Sequence, residues 1–258
     1  MQNLKVALVQ SDLFWLDPQK NRHRFEQKIT RLKGKADLIV LPEMFTTGFT
    51  MEAENQAEPM SGPTVRWMRS VAEKTGAVIA GSLIIEENGA YFNRFIWAQP
   101  QGALAWYDKR HLFRMAGEHE VYSAGRRLTT VELKGWRIRL FVCYDLRFPV
   151  WSRNVNLQYD AAIYVANWPQ RREHAWRILM QARAAENQAY IIGVNRIGAD
   201  GLGIRYSGQS MAVDPVGNIT IDLADQETEA VTTLSRAHLE HFREKFPAWK
   251  DADRFEIK

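Results

Sequence analysis

The 258-residue chain has a single cysteine, so it cannot form an internal disulfide, and a thiolate zinc cluster is excluded with it. No apolar run approaches the ~18 residues of a membrane span. The start, Met1-Gln2-Asn3-Leu4-Lys5 followed by Val6-Ala7-Leu8-Val9, lacks the long apolar region and small-residue cleavage site of a signal peptide. A soluble cytoplasmic protein is therefore expected. Charge of one sign is also scarce: Lys+Arg 34 against Asp+Glu 30 leaves +4, spread along the chain without the basic stripe or arm of a nucleic-acid binder. No Pro/Gly/Ser linker, repeat or low-complexity tract interrupts the order, which points to one domain. Its length is enough to bury a substantial core without disulfides or metal.

What is present is an alternation of short apolar runs with amphipathic stretches. Leu4–Val9 and Leu38–Leu41 read as buried strands, with Phe25, Ile29 and Leu32 on one helical face between them. Pro63 and Gly76 bracket a helix over Thr64–Lys74. Ala77–Ile85 and Tyr91–Ala98 flank Asn88-Gly89, a dipeptide suited to a tight hairpin. Leu104–Tyr107 is a further strand, followed by a loop over about residues 110–125. Val131–Leu133 and Ile138–Val142 flank a turn at Gly135, Tyr159–Ala166 and Ala189–Val194 read as strands, and Arg171–Gln188 is the strongest helix. Met211–Val213 and Ile219–Ile221 suggest another hairpin, and Arg236–Lys245 a last helix before a tail from about residue 246. Hairpins mixed with strand–helix alternation predict an α/β sandwich, sheets covered by helices.

Three residues at strand ends carry candidate chemistry. Cys143 follows the strand Ile138–Val142 and precedes Pro149, which suits a first helical turn. A side chain at such a strand-to-helix turn is exposed to backbone N–H groups, as at a nucleophile elbow, although a lone cysteine is equally a small buried hydrophobe. A thiol needs an activator. Among the histidines, His238 and His241 fall on a surface helix that suits solvation better than zinc; a papain-like pairing of Cys143 with His111 or His174 stays open, without a local signature to support it. Glu43 ends the apolar run Leu38-Ile39-Val40-Leu41-Pro42; poor hydration there would raise its pKa toward the range of a general base. Lys109 ends Leu104-Ala105-Trp106-Tyr107-Asp108 and can offer an ammonium group to a developing oxyanion, or face water as most lysines do. Strand ends at one edge of a sheet converge on one site. The glycines of 198–203 do not open a helix, so they read as a turn and not as a dinucleotide loop.

Leu41-Pro42-Glu43-Met44-Phe45, Tyr107-Asp108-Lys109-Arg110-His111-Leu112-Phe113 and Val142-Cys143-Tyr144-Asp145-Leu146-Arg147-Phe148-Pro149 resemble, in order, the three catalytic motifs of the nitrilase superfamily of carbon–nitrogen hydrolases. Tyr164-Val165-Ala166-Asn167-Trp168-Pro169 and the tail Phe246–Asp253 resemble its omega-amidase branch. The resemblance spans nearly the whole chain. It implies an αββα sandwich of one domain, residues 1–258, that dimerises, with the tail from 246 packing at the interface and with no metal or organic cofactor. It further implies a Glu43–Lys109–Cys143 catalytic set with the Tyr144 backbone N–H as oxyanion donor. A second glutamate is implied after the lysine, either Glu118 or Glu120, of which counting back from Gly125 favours Glu118. The implied substrates are small dicarboxylate monoamides such as 2-oxoglutaramate and succinamate. Arg147, four residues after the cysteine, would bind the remote carboxylate or else pair with Asp145, and Trp168 would wall the pocket or simply fill core. An N-carbamoyl amino acid hydrolase, a nitrile hydrolase and a catalytically silent binding module are the alternatives.

Overall fold

The computed structural model describes residues 2–253 and 255–256. The last few residues of the expected tail, 254, 257 and 258, and residue 1 lie outside the described residues. The strands are β1 (Leu4–Gln10), β2 (Leu38–Val40), β3 (Val78–Glu87), β4 (Ala90–Ala98), β5 (Leu104–Asp108), β6 (Thr130–Leu133), β7 (Trp136–Val142), β8 (Ala161–Ala166), β9 (Tyr190–Asn195), β10 (Ile197–Ala199), β11 (Arg205–Ser207), β12 (Met211–Val213), β13 (Ile219–Asp222) and β14 (Thr228–Leu234). They form two six-stranded sheets, in the orders β14-β1-β2-β3-β4-β5 and β13-β12-β9-β8-β7-β6, and the small β10-β11 ribbon.

Strand alternation explains the layering. Along β1, Leu4, Val6 and Leu8 join the core shared with Ile138, Leu140 and Val142 of the other sheet. Ala7 and Val9 point the other way, into a second core with Phe25 and Ile29 of helix Pro18–Thr30 and with Val65, Met68 and Val71 of helix Pro63–Thr75. Each such side chain, fully buried, contributes about 1.5–3 kcal/mol. Pro63 opens its helix and Gly76 closes it in the left-handed conformation, donating to the Ala72 carbonyl. On the opposite sheet Trp176, Met180 and Ala184 of helix Glu173–Asn187 cover the outer face. The result is the expected αββα order.

The middle of each sheet is parallel: β1, β2 and β3 in one, β7, β8 and β9 in the other. Because β4 is antiparallel to both β3 and β5, β5 runs in the same direction as β3. The C-terminal ends of β2, β5, β7 and β8 therefore meet at one edge of the sandwich. The hairpin at Asn88-Gly89, with both residues at positive φ, and the final helix Arg236–Lys245 form as expected.

Three expectations need correction, and one strand was not anticipated. Segment 110–125 is not all loop: it contains the 3-10 turn Arg114–Ala116 and the helical turn Glu118–Val121. The strongest helix starts at Glu173 instead of Arg171, because residues 170–172 form a 3-10 turn, and Gln188 ends it in a left-handed conformation. The strand expected from Tyr159 starts at Ala161. Edge strand β14 has no clean alternation of polar and apolar residues, being half-exposed over most of its length, and so gave no pattern to read.

Candidate active site

Each group at the shared edge is delivered by the end of a strand. Glu43 lies three residues past β2, Lys109 follows β5, Cys143 follows β7 and Asn167 follows β8. Both loop starts are conformationally forced. Cys143 has φ +45 and Met44, next to Glu43, has φ +41. A side chain in this region costs of order 1–2 kcal/mol, and such strain collects where function fixes the backbone. Asp145 holds the Cys143 elbow: its carboxylate accepts from Tyr107 Oη at 2.8 Å, the Val142 N–H at 3.1 Å, and the His111 N–H and Nδ1 at 3.0 and 2.7 Å. His111 is thus committed to Asp145 and stacks on Phe148, and His174 is exposed. Asp145 is also unavailable to Arg147, so the ion pair considered between them does not form.

Glu43 is fully buried, as expected of a carboxylate at an apolar strand end, and it is amply hydrogen-bonded. Oε1 accepts from Lys109 Nζ at 2.9 Å and Asn93 Nδ2 at 2.7 Å, and Oε2 from the Asn167 N–H at 2.7 Å. Lys109 Nζ also meets both oxygens of Glu118 at 2.9 Å. Glu118 is fully buried and receives the Phe113 N–H, whereas Glu120 is exposed beside His119. Glu118 is therefore the second carboxylate of this cluster.

Two carboxylates share one ammonium. Burial pulls the Lys109 pKa down, but the charges of Glu118 and Glu43 outweigh it and hold it above the ordinary lysine value. Glu118 is pushed up by burial and by Glu43, with Lys109 opposing. The Cys143 thiol is pushed well up, by burial first and then by the Glu43 charge, with Lys109 opposing and a hydrogen bond to Glu43 adding to the rise. At rest the sulfur is therefore a thiol. Cys143 and Tyr144 open a 3-10 turn, where the first N–H groups have no carbonyl within the turn to donate to.

Above these groups lies a cavity of about 420 Å³, lined by Cys143, Lys109, Arg147, Trp168 and Tyr206 among others. Trp15, Phe49, Phe113, Tyr144, Trp168 and Tyr206 supply aromatic wall, and the loop between β10 and β11 lines one side. Arg147 lies over the Trp168 ring, 4.9 Å from its centroid. Trp168 is itself buried, anchored by its N–H to Asn195 at 2.8 Å.

Asn93 and Asn167 were not singled out from the sequence, and Asp145 was considered only as a partner for Arg147. Asn93 had a signal: it shares a strand face with Phe95 and Trp97, so its amide had to be buried and bonded. Ser82 Oγ donates to Asn93 Oδ1 at 2.8 Å, which aims the Asn93 amine at Glu43. Asn167, ending an apolar strand, had the same signal as Glu43.

Residues 5–244 match the carbon-nitrogen hydrolase family. The chain is 49% identical to omega-amidase YafV of Escherichia coli over the full length of both. It is 29% identical to 2-oxoglutaramate amidase of Bacillus subtilis, over 95% of this chain and 96% of that one. A CN-hydrolase superfamily protein of Xanthomonas campestris, with an arsenic adduct in its active site, superposes with a TM-score of 0.99 at 45% identity, covering all of both chains. The chain therefore belongs to the carbon-nitrogen hydrolase family of the nitrilase superfamily, and it is a hydrolase of amide carbon–nitrogen bonds.

Proposed function

We propose that the protein is an omega-amidase, releasing ammonia from the terminal amide of small dicarboxylate monoamides such as succinamate and 2-oxoglutaramate. The observation that carries this reading is the Glu43–Lys109–Cys143 cluster beneath a cavity in which Arg147 has no carboxylate partner among the described residues. The names borne by the relatives from Escherichia coli and Bacillus subtilis support it.

In the proposed mechanism Glu43 takes the thiol proton as Cys143 attacks the amide carbon. Lys109 and the Tyr144 N–H receive the oxyanion; one such donor is worth roughly 3–4 kcal/mol when removed from known sites. Glu118, sharing the Lys109 ammonium, fixes its position. Glu43 then returns the proton to the departing ammonia, leaving a thioester on Cys143. Water, deprotonated by Glu43, attacks the thioester carbon; the C–S bond breaks, Glu43 returns the proton to the Cys143 sulfur, and the dicarboxylate is released. Arg147 binds the remote carboxylate and Trp168 supports the guanidinium from beneath.

Ammonia release on succinamate, N-carbamoyl amino acids and nitriles tests the substrate class; a clear preference for either of the last two overturns it. Arg147→Met should raise KM for succinamate about 10- to 100-fold more than for butyramide, the range of a lost charge-assisted hydrogen bond of ~1.5–3 kcal/mol. Equal losses on both amides would remove the anchoring role.

The same reading makes the protein a single cytoplasmic domain that works as a homodimer, with the tail from about residue 246 at the interface. Support comes from Val150 and Phe255, 58% and 44% exposed, which line one shallow recess with Pro149 and Ala252. Light scattering at micromolar concentration should give twice the 29.8 kDa chain mass; a monomer overturns this part.

A further inference from the structure

The cavity holds a second guanidinium that the scheme above leaves unused. Arg172 closes the 3-10 turn Gln170–Arg172 ahead of helix Glu173–Asn187, and its side chain lines the same cavity as Cys143 and Arg147. Its guanidinium lies over the Phe113 ring, 5.3 Å from the centroid. Phe113 in turn packs edge-on against Tyr144, with centroids 5.0 Å apart. The Arg172 carbonyl accepts the Trp168 indole N–H at 2.8 Å, so its backbone is tied to the ring that carries Arg147. Arg172 and Arg147 thus approach the cavity from two elements fixed to each other.

Hydrogen bonding at Arg172 is incomplete. Nη2 donates to the Met115 thioether, a weak acceptor, and Nη1 is buried with no partner among the described residues. Burial, followed by repulsion from Arg171 and Arg147, lowers its pKa. A buried donor left without an acceptor costs about 1–3 kcal/mol, and like charges held together add to that. An anion relieves both. Met115 is 73% exposed at the cavity rim, so it can leave Arg172 without disturbing the core.

Resting on the omega-amidase reading, we propose that Arg172 is a specificity-determining residue, the second half of the anchor for the substrate's remote carboxylate. The carboxylate bridges Arg147 and Arg172 and replaces the Met115 thioether as the acceptor on Arg172. Two guanidinium forks can saturate the four lone-pair positions of one carboxylate, which a single arginine cannot. A neutral amide of the same length has nothing to offer either fork and leaves both cations facing each other.

The test compares Arg172→Gln and Arg172→Lys with the unmodified enzyme on succinamate and on butyramide, which carries a methyl group where succinamate has its carboxylate. Arg172→Gln should raise KM for succinamate at least tenfold more than for butyramide, with kcat on succinamate changed far less. Arg172→Lys, which keeps the charge and loses the planar fork, should fall between. A second measurement needs no turnover: calorimetry of succinamate binding to Cys143→Ala protein, where adding Arg172→Gln should weaken binding at least tenfold. Arg172 as a mere prop for Phe113 and Met115 would give equal losses on both amides, and that result overturns the assignment. So does succinamate binding that is indifferent to Arg172. An unmodified enzyme that hydrolyses butyramide but rejects succinamate sinks the omega-amidase reading itself. One that prefers succinamate, and keeps the preference in Arg172→Gln, sinks only the role of Arg172.

Discussion

Cys143→Ala should leave a folded protein whose amide turnover is reduced by roughly 10⁴-fold or more, the scale on which hydrolases lose activity with their nucleophile. The fold should survive because alanine meets the same backbone demand: φ is +45 at this position for either side chain. The elbow is held by Asp145 through Tyr107, His111 and the Val142 N–H, hydrogen bonds that do not involve the Cys143 side chain. The activity should not survive, because nothing else in the cluster can take the attacking role: Glu43 and Glu118 are occupied with Lys109. The resting thiol matters to how this is checked. With its pKa pushed well up by burial and by Glu43, Cys143 is not a standing thiolate, so slow alkylation at neutral pH is no sign of an inert residue. The decisive measurement is mass spectrometry of enzyme quenched during turnover of succinamate. An acyl adduct should sit on Cys143 and vanish in the alanine variant. Turnover by Cys143→Ala within tenfold of the unmodified enzyme would sink the covalent scheme.

Much of this site was legible because its parts sit at strand ends, and strand ends can be read from short apolar runs. Glu43, Lys109 and Cys143 each terminate such a run, and the three motifs fix their order. The convergence itself needed topology. Whether β5 delivers Lys109 to the edge used by β7 depends on two successive antiparallel pairings, β3 with β4 and β4 with β5. The choice between Glu118 and Glu120 was equally out of reach: both lie in one helical turn, and only its packing buries one and exposes the other. Asp145 was misjudged for a related reason. Two residues from Arg147 in sequence, it looked like an ion-pair partner, yet the turn aims it at β5 and His111 instead. Local proximity in a 3-10 turn does not put side chains at i and i+2 on the same side.

The cavity carries charges of both signs, with Glu52, Asp200 and Arg171 also in its lining. At its floor two carboxylates share the Lys109 ammonium, and at its wall Arg147 and Arg172 stand without counter-anions among the described residues. On the proposed reading a dicarboxylate monoamide enters with its neutral amide at the floor and its carboxylate at the arginines. Hydrolysis then creates a carboxylate beside Glu43 and Glu118. In a cavity of low dielectric that repulsion favours product release over rebinding.

Lys109→Met should have the largest combined effect on activity and stability. The ammonium is 1% exposed and bonds to two carboxylates that are fully buried. Deleting one partner of a buried charge cluster typically costs about 3–5 kcal/mol, because the remaining charges stay without water. Here two like charges would be left facing each other, with Asn93 the donor that bridges them, at 2.7 Å from Glu43 and 3.3 Å from Glu118. The folded variant escapes by binding a proton on Glu118, whose pKa is already raised by burial and by Glu43 with Lys109 in place. The sign of the pH dependence follows. A carboxyl whose folded pKa lies above its unfolded value, ordinarily about 4.3, binds more protons in the folded state, so stability falls as pH rises. Lys109→Met should therefore melt at a lower temperature at pH 8 than at pH 5.5, a slope the unmodified protein should not share at comparable depth. Turnover should drop at least ~10²–10³-fold through the lost oxyanion donor alone, at either pH. Equal melting temperatures for variant and unmodified protein at both pH values would mean that Glu43 and Glu118 do not depend on Lys109 for their charge. The ammonium would then be free to serve the substrate and nothing else.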